Sequence, residues 1–135
     1  TMTRSNRSSE NSQAEGRVLI VDDEPDVCFL IASMLRPTHY QTAICHTLSE
    51  CERQLHDFSP THVILDINLP DGNGLDMLGT IQDDFPSVNV IMHTALDTKE
   101  NRNKAEQLGA AGFLKKPINR QLLFERLDLP SNPKK

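Results

Sequence analysis

The sequence predicts an α/β fold in which five parallel strands form a doubly wound sheet between two layers of helices. From residue 17 onward, short aliphatic runs alternate with segments of helical periodicity, and this alternation is typical of βα units around a parallel sheet. The first, third and fourth of these runs are almost entirely apolar, as expected of strands that helices cover on both faces. The predicted strands are residues 17–22, 40–45, 62–67, 89–94 and 112–116.

Right-handed crossovers between five such units favour the strand order 2-1-3-4-5, which is the flavodoxin-like (βα)5 arrangement. This order makes the first and third strands neighbours at the point where the winding direction reverses. Ligands of doubly wound sheets bind at that point, outside the carboxyl ends of the strands. The sequence therefore predicts a functional site where those two strands end.

Turn and capping residues set the expected limits of the helices. The first helix begins at Pro25, a favourable first-turn residue, and ends near Arg36 because Pro37 follows. The third ends where Phe85 precedes Pro86. The second and fourth helices are predicted to begin with the capping boxes 47–50 and 97–100. The third is predicted to begin at about residue 74, and the fifth to run from residue 119 to about 127.

Helical periodicity also predicts which side chains face the core. The fourth helix contains almost no apolar residue and should be the least well anchored. The expected inward residues are Val27, Leu30, Ile31, Met34 and Leu35, then Leu48, Cys51 and Leu55, then Leu75, Leu78 and Ile81, then Ala105 and Leu108, and finally Leu122, Leu123 and Leu127.

Length and composition limit the alternatives. A chain of 135 residues suits one domain, which we place at 16–128, between a disordered tail at 1–15 and a C-terminal tail or linker stub at 129–135. The net charge of −5 disfavours direct nucleic-acid binding. The three cysteines lack metal-binding spacing, and no apolar run is long enough to span a bilayer. We therefore expect reduced thiols and a cytoplasmic protein.

Acidic residues follow the first and third strands. Asp22 and Asp23 stand at the end of the first strand and Asp66 at the end of the third. Carboxylates held close together repel one another unless one takes a proton or a cation binds. Magnesium fits, because it takes one or two carboxylates, keeps several waters and coordinates phosphate oxygens. The fourth and fifth strands end at Thr94 and Lys116, a hydroxyl donor and an ammonium group that both suit a phosphoryl group.

Each of these residues has a simpler interpretation when taken alone. Asp66 could be a helix cap, although the next helix starts some seven residues later, which is too far for capping. Asp22 and Asp23 could belong to a solvated turn before Pro25. His93 is expected to be a hydrogen-bonded core histidine rather than a sensor. The functional interpretation depends on the combination of these residues.

The motifs VLIVDDE, LDINLPDGNG, MHTAL and GAAGFLKKP occur in order at the predicted strand ends. Together they resemble the receiver domain of two-component response regulators, and the resemblance covers residues 16–128. It implies that a histidine kinase or phosphotransfer protein phosphorylates Asp66. The domain is then a signalling module that assists its own phosphorylation and dephosphorylation without being an enzyme.

The same resemblance implies roles for further residues. Asp23 would bind Mg2+ directly, Asp22 directly or through water, and Asn68 through its backbone carbonyl. Lys116 would bind the phosphoryl group, and the peptide bond before Pro117 would be cis. Thr94 and Phe113 would form the switching pair, in which the hydroxyl moves to the phosphoryl group and the ring turns inward.

Two other kinds of protein share part of this pattern. A haloacid dehalogenase phosphatase also uses a strand-end aspartate and magnesium, but its DxDx[TV] motif is absent from DDEP and DINLP. A receiver-like docking module would take no phosphate, although the complete acidic set argues against it.

The output of the domain is not predicted by the sequence. It could be a further domain, a partner or a second copy at the surface of the fourth helix, fifth strand and fifth helix.

Overall fold

The computed structural model describes residues 16–129, so the predictions made for 1–15 and 130–135 lie outside the described residues. The main sheet comprises β1 (Arg17–Val21), β2 (Gln41–Cys45), β3 (His62–Leu65), β6 (Asn89–Thr94) and β7 (Gly112–Lys115), and a small hairpin comprises β4 (Asn68–Leu69) and β5 (Gly72–Asn73). The helices are α1 (Pro25–Leu35), α2 (Leu48–Asp57), α3 (Gly74–Asp84), α4 (Lys99–Gln107) and α5 (Arg120–Arg126).

The main sheet has the order β2-β1-β3-β6-β7, and every pairing in it is parallel. This confirms the predicted doubly wound order. Strands β1, β3 and β7 end one or two residues earlier than predicted, at Val21, Leu65 and Lys115. As a result, Asp22, Asp66 and Lys116 each directly follow a strand.

Two apolar clusters cover the two faces of the sheet, because side chains of successive strand residues point to opposite faces. Leu19, Leu65 and Met92 belong to the cluster packed under α2, α3 and α4. Ile20, Ile64 and Ile91 belong to the cluster packed under α1 and α5. The central strands are buried on both sides, which explains why their sequences are almost continuously apolar.

Helices α2, α3 and α4 bury the residues predicted for them, with Leu48 and Leu108 only partly buried. The predictions for α1 and α5 are wrong at one position each. Leu30 and Leu122 are exposed, while Cys28 and Phe124 are buried. Consecutive apolar residues occur in both helices, at 27–32 and 122–124, and one face of a helix cannot bury all of them.

The start of α4 also differs from the prediction. The N-cap is Thr98, whose hydroxyl accepts a hydrogen bond from the backbone N–H of Asn101 at 3.0 Å. The predicted cap, Asp97, instead binds the guanidinium of Arg102. The hairpin β4–β5 was not predicted, since each of its strands has two residues. In residues 16–129 no helix is long and apolar enough to cross a membrane.

Candidate functional site

The predicted site residues lie together at the carboxyl edge of the sheet, and backbone hydrogen bonds fix their starting points. Asp22 N–H donates to Cys45 O at 3.0 Å, and Asp66 N–H donates to Val21 O at 3.1 Å. Lys116 N–H donates to Thr94 O at 2.9 Å. Each bond continues the ladder between neighbouring strands by one residue. The side chains that follow are therefore held by the sheet rather than by free loops.

Lys116 lies at the centre of the acidic group. Its ammonium Nζ is 2.9 Å from Asp22 Oδ2, 2.9 Å from Asp66 Oδ2 and 3.3 Å from Glu24 Oε1. The lysine side chain is only 14% exposed, whereas that of Glu24 is 59% exposed. The contacts with Asp22 and Asp66 are therefore the protected ones, and the lysine connects the ends of β1 and β3.

The two buried carboxylates are also oriented by the backbone. Asp22 Oδ1 accepts a hydrogen bond from Glu24 N–H at 2.9 Å, and Asp66 Oδ1 accepts one from Ile67 N–H at 2.7 Å. In both residues the other oxygen, Oδ2, binds Lys116. Each carboxylate thus has one oxygen fixed by the main chain and one directed toward the centre of the site.

The charges of the site do not balance. Burial raises the pKa of Asp22, although the Glu24 N–H and the Lys116 ammonium act against this effect. Burial alone would lower the pKa of Lys116, but the carboxylates of Asp22 and Asp66 raise it above its ordinary value. One ammonium group faces several carboxylates, so the site retains an excess of negative charge.

This excess suits a divalent cation. One carboxylate oxygen from each of Asp22, Asp23 and Asp66 lies within 4.8 Å of the others, and Asp23 is the exposed member. Three hard oxygen donors, one of them open to solvent, match the preference of Mg2+ for carboxylates together with water. The residues present therefore fit the predicted metal.

The other predicted residues surround this centre. Thr94 is buried at the end of β6, and its Oγ1 accepts a hydrogen bond from Leu96 N–H at 3.1 Å. Phe113 pairs in register with Met92, so Phe113 and Thr94 lie on the same face of the sheet. Asn68 is exposed in the hairpin strand that follows Asp66. The peptide bond between Lys116 and Pro117 is cis, as the resemblance implied.

The prediction that His93 is a hydrogen-bonded core histidine is wrong about the hydrogen bonds. His93 is buried, but neither ring nitrogen has a hydrogen-bond partner among residues 16–129. Burial and the positive charge of Lys116 lower the pKa of His93 to about 4, so the ring is neutral at pH 7. It lines an apolar cavity of about 290 Å³ together with Val27, Leu30 and Ile118.

Two side chains make contacts that were not predicted, and one of them, His46, touches a site residue. The carboxylate of Asp71 accepts hydrogen bonds from the backbone N–H groups of Leu48 at 2.8 Å and Ser49 at 3.1 Å, and so caps α2. The imidazole of His46 binds the backbone carbonyl of Asp22. Local sequence contains no signal for either contact, because each joins segments more than 20 residues apart.

Comparison with known proteins agrees with the fold. A segment of 104 residues is 36% identical to the response regulator protein PilR of Pseudomonas aeruginosa, covering 76% of this chain and 23% of PilR. A segment of 114 residues is 30% identical to the regulatory protein VanRB of Enterococcus faecalis, covering 83% of this chain and 50% of VanRB. The chain thus spans half the length or less of these two relatives.

Solved structures show the same architecture. The receiver domain of non-phosphorylated HemR from Leptospira biflexa is 29% identical, with a TM-score of 0.77 and coverage of 84% of this chain and 91% of that one. A CheY-like receiver domain protein from Methanospirillum hungatei is 27% identical, with a TM-score of 0.79 and coverage of 84% and 90%.

Fold and site together define a doubly wound α/β domain with a lysine-paired acidic centre at its switch point. The family model of the response regulator receiver domain matches residues 18–128. The chain belongs to this family, which favours the receiver interpretation over the phosphatase alternative.

Proposed function

We propose that Asp66 is the phosphoacceptor of this receiver domain and that a histidine kinase or a phosphotransfer protein supplies the phosphoryl group. One observation carries the proposal. The Asp66 carboxylate lies where three supporting groups meet, with Lys116 at 2.9 Å and oxygens of Asp22 and Asp23 within 4.8 Å. A side chain that served only as a helix cap would not need this surrounding charge.

In the proposed reaction, a carboxylate oxygen of Asp66 attacks the phosphorus of a phosphohistidine. The new O–P bond forms as the N–P bond breaks, and the bonding electrons return to the imidazole nitrogen of the donor. The chain provides positioning and charge for this transfer. Lys116 remains to pair with a phosphoryl oxygen, because its ammonium lies within contact distance of the carboxylate that is modified.

Asp22, Asp23 and Asp66, with the backbone carbonyl of Asn68, are the proposed Mg2+ ligands. When bound, the cation offsets the repulsion between these carboxylates and the phosphoryl oxygens. Asp23 is the member best placed to admit a hydrated cation, since it is exposed while Asp22 and Asp66 are buried. The hydrogen bond from Glu24 N–H holds the Asp22 carboxylate toward the centre of the site.

Thr94 and Phe113 are the proposed switching pair. The hydroxyl of Thr94 accepts from Leu96 N–H, so movement of Thr94 toward a phosphoryl group would alter the segment between β6 and α4. Helix α4 buries Ala105 fully and Leu108 partly, and weakly packed elements open at low cost. The surface of α4, β7 and α5 is therefore the proposed contact for an output domain, a partner or a second copy.

The proposed module acts in the cytoplasm as a signalling component rather than as an enzyme. Its output lies in another domain or partner, which is consistent with the greater length of PilR and VanRB. Direct nucleic-acid binding by this domain is not part of the proposal, because the net charge is −5.

Intact mass spectrometry after incubation with a small phosphodonor, such as acetyl phosphate, tests the proposal. The expected result is one phosphoryl adduct that forms with Mg2+, does not form when a chelator is present during the incubation, and is absent from Asp66→Asn. Asp57→Asn, on an exposed carboxylate at the end of α2 away from the site, is the matched control and should react like the wild type. No adduct on a folded wild-type protein would contradict the proposal and favour a docking module.

A further inference from the structure

His46 directly follows β2 and holds the main chain of Asp22. Its Nδ1 lies 2.8 Å from the backbone carbonyl oxygen of Asp22. A carbonyl oxygen only accepts hydrogen bonds, so Nδ1 carries the proton and donates it. The thiol of Cys28 donates to the same oxygen at 3.3 Å. This carbonyl is therefore fixed by two side chains from separate elements.

The backbone N–H of Asp22 is fixed from the same direction, because it donates to Cys45 O at 3.0 Å. Adjacent residues at the end of β2 thus bind both polar groups of the Asp22 main chain. His46 is itself held in place, since its N–H donates to Glu50 Oε1 at 2.8 Å within the capped start of α2. The backbone of His46 is therefore anchored, and the residue is half-buried.

We propose that His46 is a positioning residue for the metal site, an inference that rests on the proposed binding of Mg2+ by Asp22 and Asp23. The peptide unit between these residues is planar. Fixing the Asp22 carbonyl therefore fixes the direction of the N–H of Asp23 and the point from which its side chain leaves. Asp23 is exposed and lies in a bend before α1, so the ladder of the sheet does not orient it.

A purely structural role for His46 makes a different prediction. If the ring only anchored the turn between β2 and α2, its loss would lower the melting temperature and leave metal affinity unchanged. If it orients the peptide unit after Asp22, its loss weakens Mg2+ binding in a folded protein. Partners of metal ligands commonly contribute about 10- to 100-fold to affinity, and the second donor from Cys28 places this case at about tenfold.

The test compares His46→Leu and His46→Ala with His46→Asn. The amide nitrogen of asparagine can take the place of Nδ1 and restore the donor, whereas leucine and alanine supply none. His39→Leu is the matched control, because His39 stacks on Tyr40 before the opposite end of β2. Mg2+ affinity is measured by isothermal titration calorimetry, the amide resonance of Asp23 is recorded without metal, and thermal melting confirms folding.

The expected result is about tenfold weaker Mg2+ binding for the leucine and alanine variants, with wild-type affinity for His46→Asn and His39→Leu. Without metal, the amide chemical shift of Asp23 should change in His46→Leu and His46→Ala only. Unchanged Mg2+ affinity in folded His46→Leu or His46→Ala overturns the role of His46 but does not affect the proposed metal site. Equal weakening in His46→Asn overturns the hydrogen-bond argument. A wild-type protein that binds no Mg2+ overturns the proposed function and this inference together.

Discussion

Gly74 lies directly against the main chain of Asp66. A Cβ atom at position 74 would stand 2.0 Å from Asp66 O and 2.9 Å from Asp66 C. These are backbone atoms, so they cannot move aside as the end of a flexible side chain could. The start of α3 is therefore built against the peptide that carries the candidate phosphoacceptor.

We predict that Gly74→Ala displaces the end of β3 and impairs both stability and phosphorylation. Gly79→Ala, in the same helix, is the matched control, since its Cβ would meet only the end of Leu108 at 3.8 Å. Alanine should stabilise that helix position by about 0.5–1 kcal/mol. Urea unfolding and the yield of phosphodonor adduct provide the measurements. Equal behaviour of the two variants would show that the contact between Gly74 and Asp66 has no consequence.

Thr94→Ala should keep phosphorylation at Asp66 and lose most of the conformational response. Moving a two-state domain from nearly all inactive to nearly all active requires about 5.5 kcal/mol, and one hydrogen bond supplies about 0.5–1.5 kcal/mol. Thr94 and Lys116 must therefore act together. The response is read from amide chemical shifts in α4 and β7 with and without a phosphoryl mimic, and Thr94→Ser is the control that keeps the hydroxyl. Shift changes in the alanine variant as large as in the wild type would rule out the switch role.

Replacing His93 with leucine should stabilise the protein, because a buried ring with two unsatisfied nitrogens is removed. The expected gain at pH 7.5 is about 1–3 kcal/mol in the free energy of unfolding. His62→Leu is the matched control. Its Nδ1 lies 2.9 Å from the hydroxyl of Thr61, so this substitution should bring no such gain.

The same variant should be less sensitive to acid. The pKa of His93 falls from 6.5 to about 4 on folding, so below pH 6.5 the unfolded chain binds a proton that the folded chain does not. Wild-type stability therefore decreases between pH 6.5 and pH 4, by up to about 3 kcal/mol from this residue. The advantage of His93→Leu should grow across this range in urea unfolding. A constant advantage from pH 7.5 to pH 4.5 would contradict the assigned neutral state.

Arg102 and Phe113 should be energetically coupled. The guanidinium carbon of Arg102 lies 4.7 Å from the centre of the Phe113 ring, and Asp97 binds the same guanidinium. A double-mutant cycle with Arg102→Met and Phe113→Leu, measured by urea unfolding, should give a coupling free energy of about 0.5–1 kcal/mol. This is the usual strength of an exposed cation–π contact. A coupling of zero would mean that the arginine does not restrain the proposed switch aromatic.

The strand ends and the acidic site could be predicted because their signals are local. A parallel strand buried on both faces is a continuous apolar run, so its end is visible in the sequence. The doubly wound order then brings Asp22 and Asp66 to neighbouring positions. Asp23, Thr94 and Lys116 follow from the same reasoning, since each stands at or just beyond the end of a predicted strand.

The predictions that were wrong or missing concern features that tertiary packing determines. Leu30 and Leu122 fit the helical period as well as the buried residues do, yet packing leaves both of them exposed. Asp97 and Thr98 are both good caps, and the ion pair of Asp97 with Arg102 leaves the role to Thr98. The contact of His46 with Asp22 depends on the pairing of β1 with β2, so no local sequence pattern predicts it.

Reductive trapping of the phosphorylated protein tests the central claim most directly. Borohydride reduces an acyl phosphate on aspartate to the alcohol of homoserine, which peptide mass spectrometry locates. After reaction with a phosphodonor and Mg2+, we expect homoserine at position 66 alone, and none in protein incubated without donor. Homoserine at Asp22 or Asp23, with an unmodified Asp66, would contradict the assignment of Asp66 as the phosphoacceptor.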